Sequence, residues 1–288
     1  MNVFNVNMVA APDFVAVGHV TLDHFGDTVR PGGAALYAAV TAHCLGLSAG
    51  ILTSHGDDFP LELIPPQIEV VSVAAAATTR FEHAVHGERR TMRVPSAAGP
   101  LTAADVPEDW QAAPLVLLAP VLGEVDPNVA TAFTNATLAA EAQGWMRGLS
   151  ADGAVGPVPW TPLEFLLGCL QMMFASAEDV AGQEAAVLEW IQRVPIAAVT
   201  ASRAGALLYV NGERYEIPPR PATEVDPTGA GDVFATTFLI RYQLLGDPWE
   251  AAVAAACAAS LSVEGEGWSG IPDGGGLEAA LREYHRAP

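Results

Sequence analysis

The sequence predicts an α/β fold on a mostly parallel sheet, and three observations carry that expectation. Phe14 to Asp23 reads as a buried strand with a polar tip, Pro31-Gly32-Gly33 opens a helix of small apolar residues, and a second strand follows at Ala49 to Ser54. That succession is a βαβ unit. Strand-like apolar runs then recur at Leu115 to Ala119, Met172 to Ala175 and Ile196 to Thr200. Near the C-terminus, Gly229-Ala230-Gly231-Asp232 runs straight into the apolar helix Val233 to Tyr242.

Size and composition narrow the functional classes. With 288 residues, 51% of them hydrophobic and 16% charged, the chain suits one large α/β domain. No apolar run is long enough to span a bilayer and the first basic residue is Arg30, so a cytoplasmic protein without a signal peptide is expected. Cys44, Cys169 and Cys257 are far apart in apolar surroundings, which fits buried thiols rather than a zinc or redox motif. A net charge of −20 argues against nucleic acid or an anionic membrane as partner. All 13 basic residues are arginine, so phosphate-binding or Schiff-base lysines are excluded.

The elements follow in order. The helix Ala34 to Leu45 stops at Gly46, a natural left-handed terminator. Arg80 to Val94 alternates loosely about a His-Gly turn and predicts a hairpin, polar on both faces, within residues 78–95. A helix is expected near Asn128 to Gln143, followed by a segment carrying Arg147, which is read as lying at a strand end near the site. Leu207 to Val210, Asn211-Gly212 and Arg214 to Ile217 form a second hairpin, through a type I′ turn. Asp247-Pro248-Trp249-Glu250 caps an alanine-rich helix that reaches Ala259 and Ser260.

The chemistry concentrates at residues 224–232. Small residues entering a helix leave backbone N–H groups converging on one spot, which makes an anion site. A carboxylate in the same turn, Asp232, suits deprotonation of a hydroxyl held beside a phosphate. The pattern points to phosphoryl transfer.

At Asp226-Pro227-Thr228-Gly229-Ala230-Gly231-Asp232 the chain resembles the ribokinase-like PfkB family of carbohydrate kinases, whose signature reads Asp-Thr-x-Gly-Ala-Gly-Asp. The resemblance implies a single domain over 1–288, a three-layer αβα sandwich with a small, reduced β lid. It implies Asp232 as catalytic base, with the N–H groups of Gly229, Ala230 and Gly231 stabilising the moving phosphoryl group. It makes Asp23 the ligand of acceptor hydroxyls and has Gly32 and Gly33 admit the substrate to the backbone. Tyr37 stands where many sugar kinases carry Asn, which argues against the specificity of ribokinase itself. Glu124 and Arg147 complete the expected acceptor site, and Arg147 is the expected cation for the transferred phosphate.

On the donor side, Thr200-Ala201-Ser202-Arg203-Ala204-Gly205 is similar to the family's Thr-x-Gly-x-x-Gly nucleotide loop, with Ser202 replacing the first glycine. Thr228, Ala259, Val263 and Gly265 complete the expected nucleotide contacts. Asp179 takes the place of the family's magnesium-ordering Glu through bound water, Glu178 being the alternative register. Asp226 and the loop 263–267 are the candidates for a monovalent cation such as K+. The implied activity is transfer of the ATP γ-phosphoryl group, with Mg2+, to a sugar or polyol, nearest the inositol-kinase-like branch. A nucleoside kinase, with Tyr37 or Phe81 stacking on a base, and a non-catalytic nucleotide or sugar sensor are the alternatives. The partners expected are a small-molecule substrate and, for the assembly, a monomer or homodimer.

Overall fold

The structure, a computed structural model, describes residues 10–86 and 89–286. Its strands are β1 (Phe14–Val17), β2 (Thr21–Phe25), β3 (Thr28–Gly32), β4 (Ala49–His55), β5 (Glu69–Ala74), β6 (Thr79–His86), β7 (Arg89–Ser96) and β8 (Leu115–Leu118). They continue with β9 (Thr137–Glu141), β10 (Arg147–Leu149), β11 (Val155–Pro157), β12 (Met172–Ser176), β13 (Ile196–Thr200), β14 (Ala206–Val210) and β15 (Glu213–Ile217). The helices are α1 (Ala34–Cys44), α2 (Glu164–Cys169), α3 (Ala177–Val180), α4 (Glu184–Ile191), α5 (Ala230–Leu245), α6 (Pro248–Ser262) and α7 (Gly274–Tyr284).

Nine strands form the central sheet in the order β15-β14-β13-β12-β9-β8-β1-β4-β5. From β5 to β13 every neighbour is parallel, and β14 turns back antiparallel. Alternate residues of each strand feed two cores: Phe14, Leu115, Leu117, Met172 and Phe174 point to one, and Val15, Val116, Leu118, Met173 and Ala197 to the other. Helices α1, α5, α6 and α7 cover the first face. Helices α2 and α4, with Trp110, Trp145 and Trp190, cover the second. Strand order reverses between β1 and β8, the place where an open parallel sheet leaves a crevice at its carboxyl edge.

The alanines of α6 allow close packing against α5, and Ala251 to Ala256 and Cys257 are buried. Cys257 is the buried thiol, whereas Cys44 and Cys169 are partly exposed and none of the three is bridged. Two local readings hold in detail. Asn211 and Gly212 take φ of 49° and 83°, as a type I′ turn requires, and Asp247 caps α6 through the N–H groups of Trp249 and Glu250.

The lid differs from the expectation. The hairpin in residues 78–95 exists as β6 and β7, but it joins a second hairpin, β2 and β3, in a four-stranded sheet ordered β3-β2-β6-β7. The lid is therefore larger than the reduced lid expected. The expected first strand is broken after Val17 by Gly18-His19-Val20, because Gly18 lies against the Ala119 carbonyl, where a Cβ would come within 2.1 Å. The His-Gly turn at Gly87 lies outside the described residues.

The helix expected over residues 128–143 is not formed. A short 3-10 turn at Pro127–Ala132 is followed by β9, whose Leu138, Ala139 and Ala140 are buried on both faces. A strand buried on both sides has no alternation to distinguish it from a helix. Among the described residues, no helix is long and apolar enough to cross a membrane.

Candidate active site

Helix α5 starts over the carboxyl edge of the sheet, packing against β8, β9 and β12. Gly229, its N-cap, has φ of 79°, and a Cβ there would come 2.1 Å from Tyr37 Cδ1. Only glycine fits both the left-handed backbone and the contact with the ring. The Ala230 N–H donates to the Pro227 carbonyl at 3.3 Å, and the helical ladder begins when Val233 donates to Gly229 at 2.9 Å. Gly229, Gly231 and Asp232 thus carry the N–H groups ahead of the ladder, and Ala230, expected among the donors, closes the turn instead.

Asp232 meets a cluster of charged groups. Glu141, at the end of β9, is buried and hydrogen-bonds to the Asp232 carboxyl. Burial first, then Asp232 itself, holds Glu141 well above the usual carboxyl range, so Glu141 keeps the proton and donates it. Burial pushes Asp232 up to about 7, against the opposing effects of Arg147 and of the Glu141 hydrogen bond. Sequence reasoning missed Glu141 because it placed residues 128–143 in a helix; a strand at 137–141 would have brought this acid to the carboxyl edge.

Arg147 reaches this cluster from β10, beyond a 3-10 turn at Gln143–Met146, and not from a parallel strand end. Its Nη2 lies 3.7 Å from Asp179 Oδ1, and both side chains are largely covered. Asp179 is engaged on its other oxygen too, accepting from Ser176 Oγ at 2.5 Å and from Gln143 Nε2 at 3.3 Å. These bonds make Asp179 an anchor for Arg147. The neighbouring Glu178 is exposed.

Across the site, Asp23 on β2 is 7% exposed and accepts from Thr21 Oγ1 at 2.8 Å. It is near enough for its charge to raise the Asp232 pKa. The two glycines, expected to let substrate approach the backbone, are required by the chain's own packing. A Cβ on Gly32 would meet Asp23 Oδ2 at 2.2 Å, and one on Gly33, whose φ is 100°, would meet the His19 carbonyl at 2.3 Å. Each missing side chain makes room for the protein's own atoms.

Two further acceptor assignments are corrected. Glu124 is buried, and its carboxylate accepts the N–H groups of His19, Val121 and Leu122 at 2.8 to 3.0 Å. It is a structural anion that ties the loop after β8 to the end of β1. Tyr37 is 4% exposed and backs the Gly229 turn, set among Asp226, Asp232 and Asp23. Burial first, and then those three charges, push its phenol far up. Phe81, buried at 5% exposure and tilted against His83, is equally unavailable for stacking on a base.

The residues expected on the donor side lie as follows. Thr200 ends β13, and Gly205 has φ of 87° where a Cβ would meet the Ile217 carbonyl at 2.1 Å. Ser202 takes φ of 47°, a left-handed conformation that favours glycine. Ala259 lies near the end of α6, partly exposed. The Val263 carbonyl accepts from the N–H groups of Val225 and Asp226 at 2.7 and 3.1 Å, and Gly265 folds against Gly270. The Thr228 N–H donates to Asp226 Oδ1 at 3.0 Å.

The mostly parallel sheet with helices on both faces is a ribokinase-like α/β fold. Residues 163–272 match the family model described as pfkB family carbohydrate kinase. The inositol 3-kinase of Zea mays is 30% identical over 200 residues, covering 65% of this chain and 52% of that protein. The cytidine kinase of Thermococcus kodakarensis is 27% identical over 263 residues, covering 84% of this chain and 92% of that protein. Over residues 163–272 the chain is thus similar to the pfkB carbohydrate kinases, and it spans a little over half the length of the plant inositol 3-kinases it matches.

Solved structures agree on the fold. A pyrophosphate-dependent kinase of the ribokinase family, complexed with a pyrophosphate analogue and myo-inositol, superposes with a TM-score of 0.76 at 21% identity over 92% of this chain and 99% of that one. The nucleoside kinase of Methanocaldococcus jannaschii gives 0.70 at 19% identity, over 95% and 99%.

Proposed function

We propose that the chain is an ATP-dependent small-molecule kinase that phosphorylates a hydroxyl of a polyol or sugar, of which an inositol is the first candidate. The observation that carries this reading is Asp232, a carboxyl held near pH 7 beside the N–H groups at the start of α5 and opposite Asp23. The relatedness to plant inositol 3-kinases supports the acceptor class.

Asp23 holds the acceptor, and Asp232 takes the proton of the hydroxyl being phosphorylated. The freed oxygen attacks the γ-phosphorus as the bond to the leaving β-phosphate oxygen breaks. Charge on the moving group falls to the N–H groups of Gly229 and Gly231 and to the Arg147 guanidinium. Glu141, keeping its own proton, holds the Asp232 carboxyl in place. Magnesium, bound with the nucleotide, would neutralise charge on the donor phosphates, and the exposed Glu178 would be the acid to help hold it. The loop 200–205, Ala259 and the turn 263–270 would frame the nucleotide. A cytoplasmic monomer or homodimer completes the proposal.

A nucleoside kinase is the second reading, because the cytidine kinase matches over 92% of its own length. One experiment separates the readings: the purified chain is incubated with ATP or pyrophosphate and a panel of myo-inositol, sugars, polyols and nucleosides, and phosphorylated products are identified. Product from myo-inositol or another polyol supports the proposal, and product from cytidine supports the second reading. Nucleotide binding without any product would make the chain a sensor.

A further inference from the structure

The loops flanking Asp226 are where the family resemblance allows a monovalent cation, and several of their oxygens are already engaged. Asp226 Oδ1 accepts from Thr228 N at 3.0 Å, and Oδ2 accepts from Gly267 N at 3.1 Å and from Arg30 Nη1 at 3.3 Å. The Val263 carbonyl is taken by two N–H groups, and the Glu266 carbonyl accepts from Ser269 Oγ at 2.6 Å. A hard cation needs several oxygens converging on it, and here the Asp226 carboxylate and the Val263 and Glu266 carbonyls already accept from donors of this chain.

The same place already holds a positive charge. Arg30, from lid strand β3, pairs through Nη1 with Asp226 and through Nη2 with Glu266, and its guanidinium lies over the Phe25 ring at 5.6 Å. Two carboxylates and an aromatic face hold it in position. A second cation beside this guanidinium would be repelled by it and would compete for the same carboxylates.

We propose that Arg30 stands in for a monovalent cation at the Asp226–Glu266 loops, so that this chain needs none. A K+ ion therefore does not fit the site as the chain builds it. Being covalently attached, the guanidinium is present at any salt composition. The inference rests on reading these loops as the donor side of a kinase, but its test does not depend on catalysis.

The test is thermal unfolding of the full chain in KCl, NaCl and tetramethylammonium chloride at equal ionic strength, for the wild type and for Arg30→Met. The wild type is expected to melt within about 1 °C in the three salts. Arg30→Met, with the guanidinium gone and the carboxylates open, is expected to gain roughly 2–4 °C in KCl over tetramethylammonium chloride. A K+-specific gain in the wild type would overturn the proposal, as would an Arg30→Met variant indifferent to K+. Should the variant fail to fold, the wild-type comparison decides alone. Absence of kinase activity would count against the proposed function and leave the melting comparison intact.

Discussion

Glu141 at the end of β9 and Asp232 in the first turn of α5 form a carboxyl pair in which Glu141 keeps the proton and donates it to Asp232. With Asp179 and Asp23 close by and Arg147 the cation among them, full ionisation would crowd negative charge into a covered space. The shared proton relieves that repulsion and leaves Asp232 as the acid that titrates near neutrality.

Asp232→Asn should lower kcat by about 10² to 10⁴, the usual contribution of a positioned base, with ATP affinity little changed. Its stability should move the other way. Folded Asp232 holds its proton to about pH 7 whereas the ordinary carboxyl releases it at 3.8, so between these values folding takes up a proton and stability falls as pH rises. The neutral amide escapes that loss, and Asp232→Asn should melt higher than the wild type at pH 8, with the gain shrinking towards pH 4. Wild-type turnover in the variant would remove Asp232 from the role of base.

The pH profile of kcat/KM should fall on the acid side of about 7, where Asp232 gains its proton. Arg147 lowers the Asp232 pKa, so Arg147→Ala should move this limb to higher pH as well as lower kcat. Its ion pair with Asp179 also adds a stability loss, because the variant strands a covered carboxylate. A limb that stays in place would show that Arg147 acts on Asp179 alone.

Asp23→Ala should raise the acceptor KM far more than the ATP KM, since the acceptor loses a hydrogen-bonding partner on the lid hairpin. Equal changes in both constants would indicate instead that the hairpin no longer folds against Gly32.

Glu124→Gln should destabilise the fold by about 1–3 kcal/mol, because an amide NH2 would face backbone N–H groups that need an acceptor. The acceptor KM should stay close to wild type, as measured by urea unfolding and initial-rate kinetics on the same preparation. A KM effect without a stability loss would return Glu124 to the substrate site.

Local chemistry explains what the sequence revealed. The turn at Asn211-Gly212, the Asp247 cap, and Gly229 to Asp232 each depend on neighbours in the chain, and each is found where it was read. The β2–β3 hairpin was missed because β2 continues the apolar run of β1, and only the turn at Gly26, with φ of 62°, sets β3 apart from β2. Glu141 and Arg30 were missed because their meaning lies in partners far along the chain, Asp232 for one and Asp226 and Glu266 for the other. Glu124 illustrates the converse: a well-placed acid whose oxygens are spent on backbone N–H groups that no sequence pattern displays.

Asp23 and Arg30 are paired directly across the β2–β3 hairpin, the first beside Gly32 and the second reaching Asp226 and Glu266. Two ends of the proposed reaction are thereby written on one short ribbon. For protein engineering this makes the ribbon a cassette: grafting Thr21–Gly32 from a relative would exchange the acceptor grip and the donor-loop charge in a single step. Swapping either strand by itself would separate residues that face each other here, and chimaeras cut between Asp23 and Arg30 should be the ones that fail.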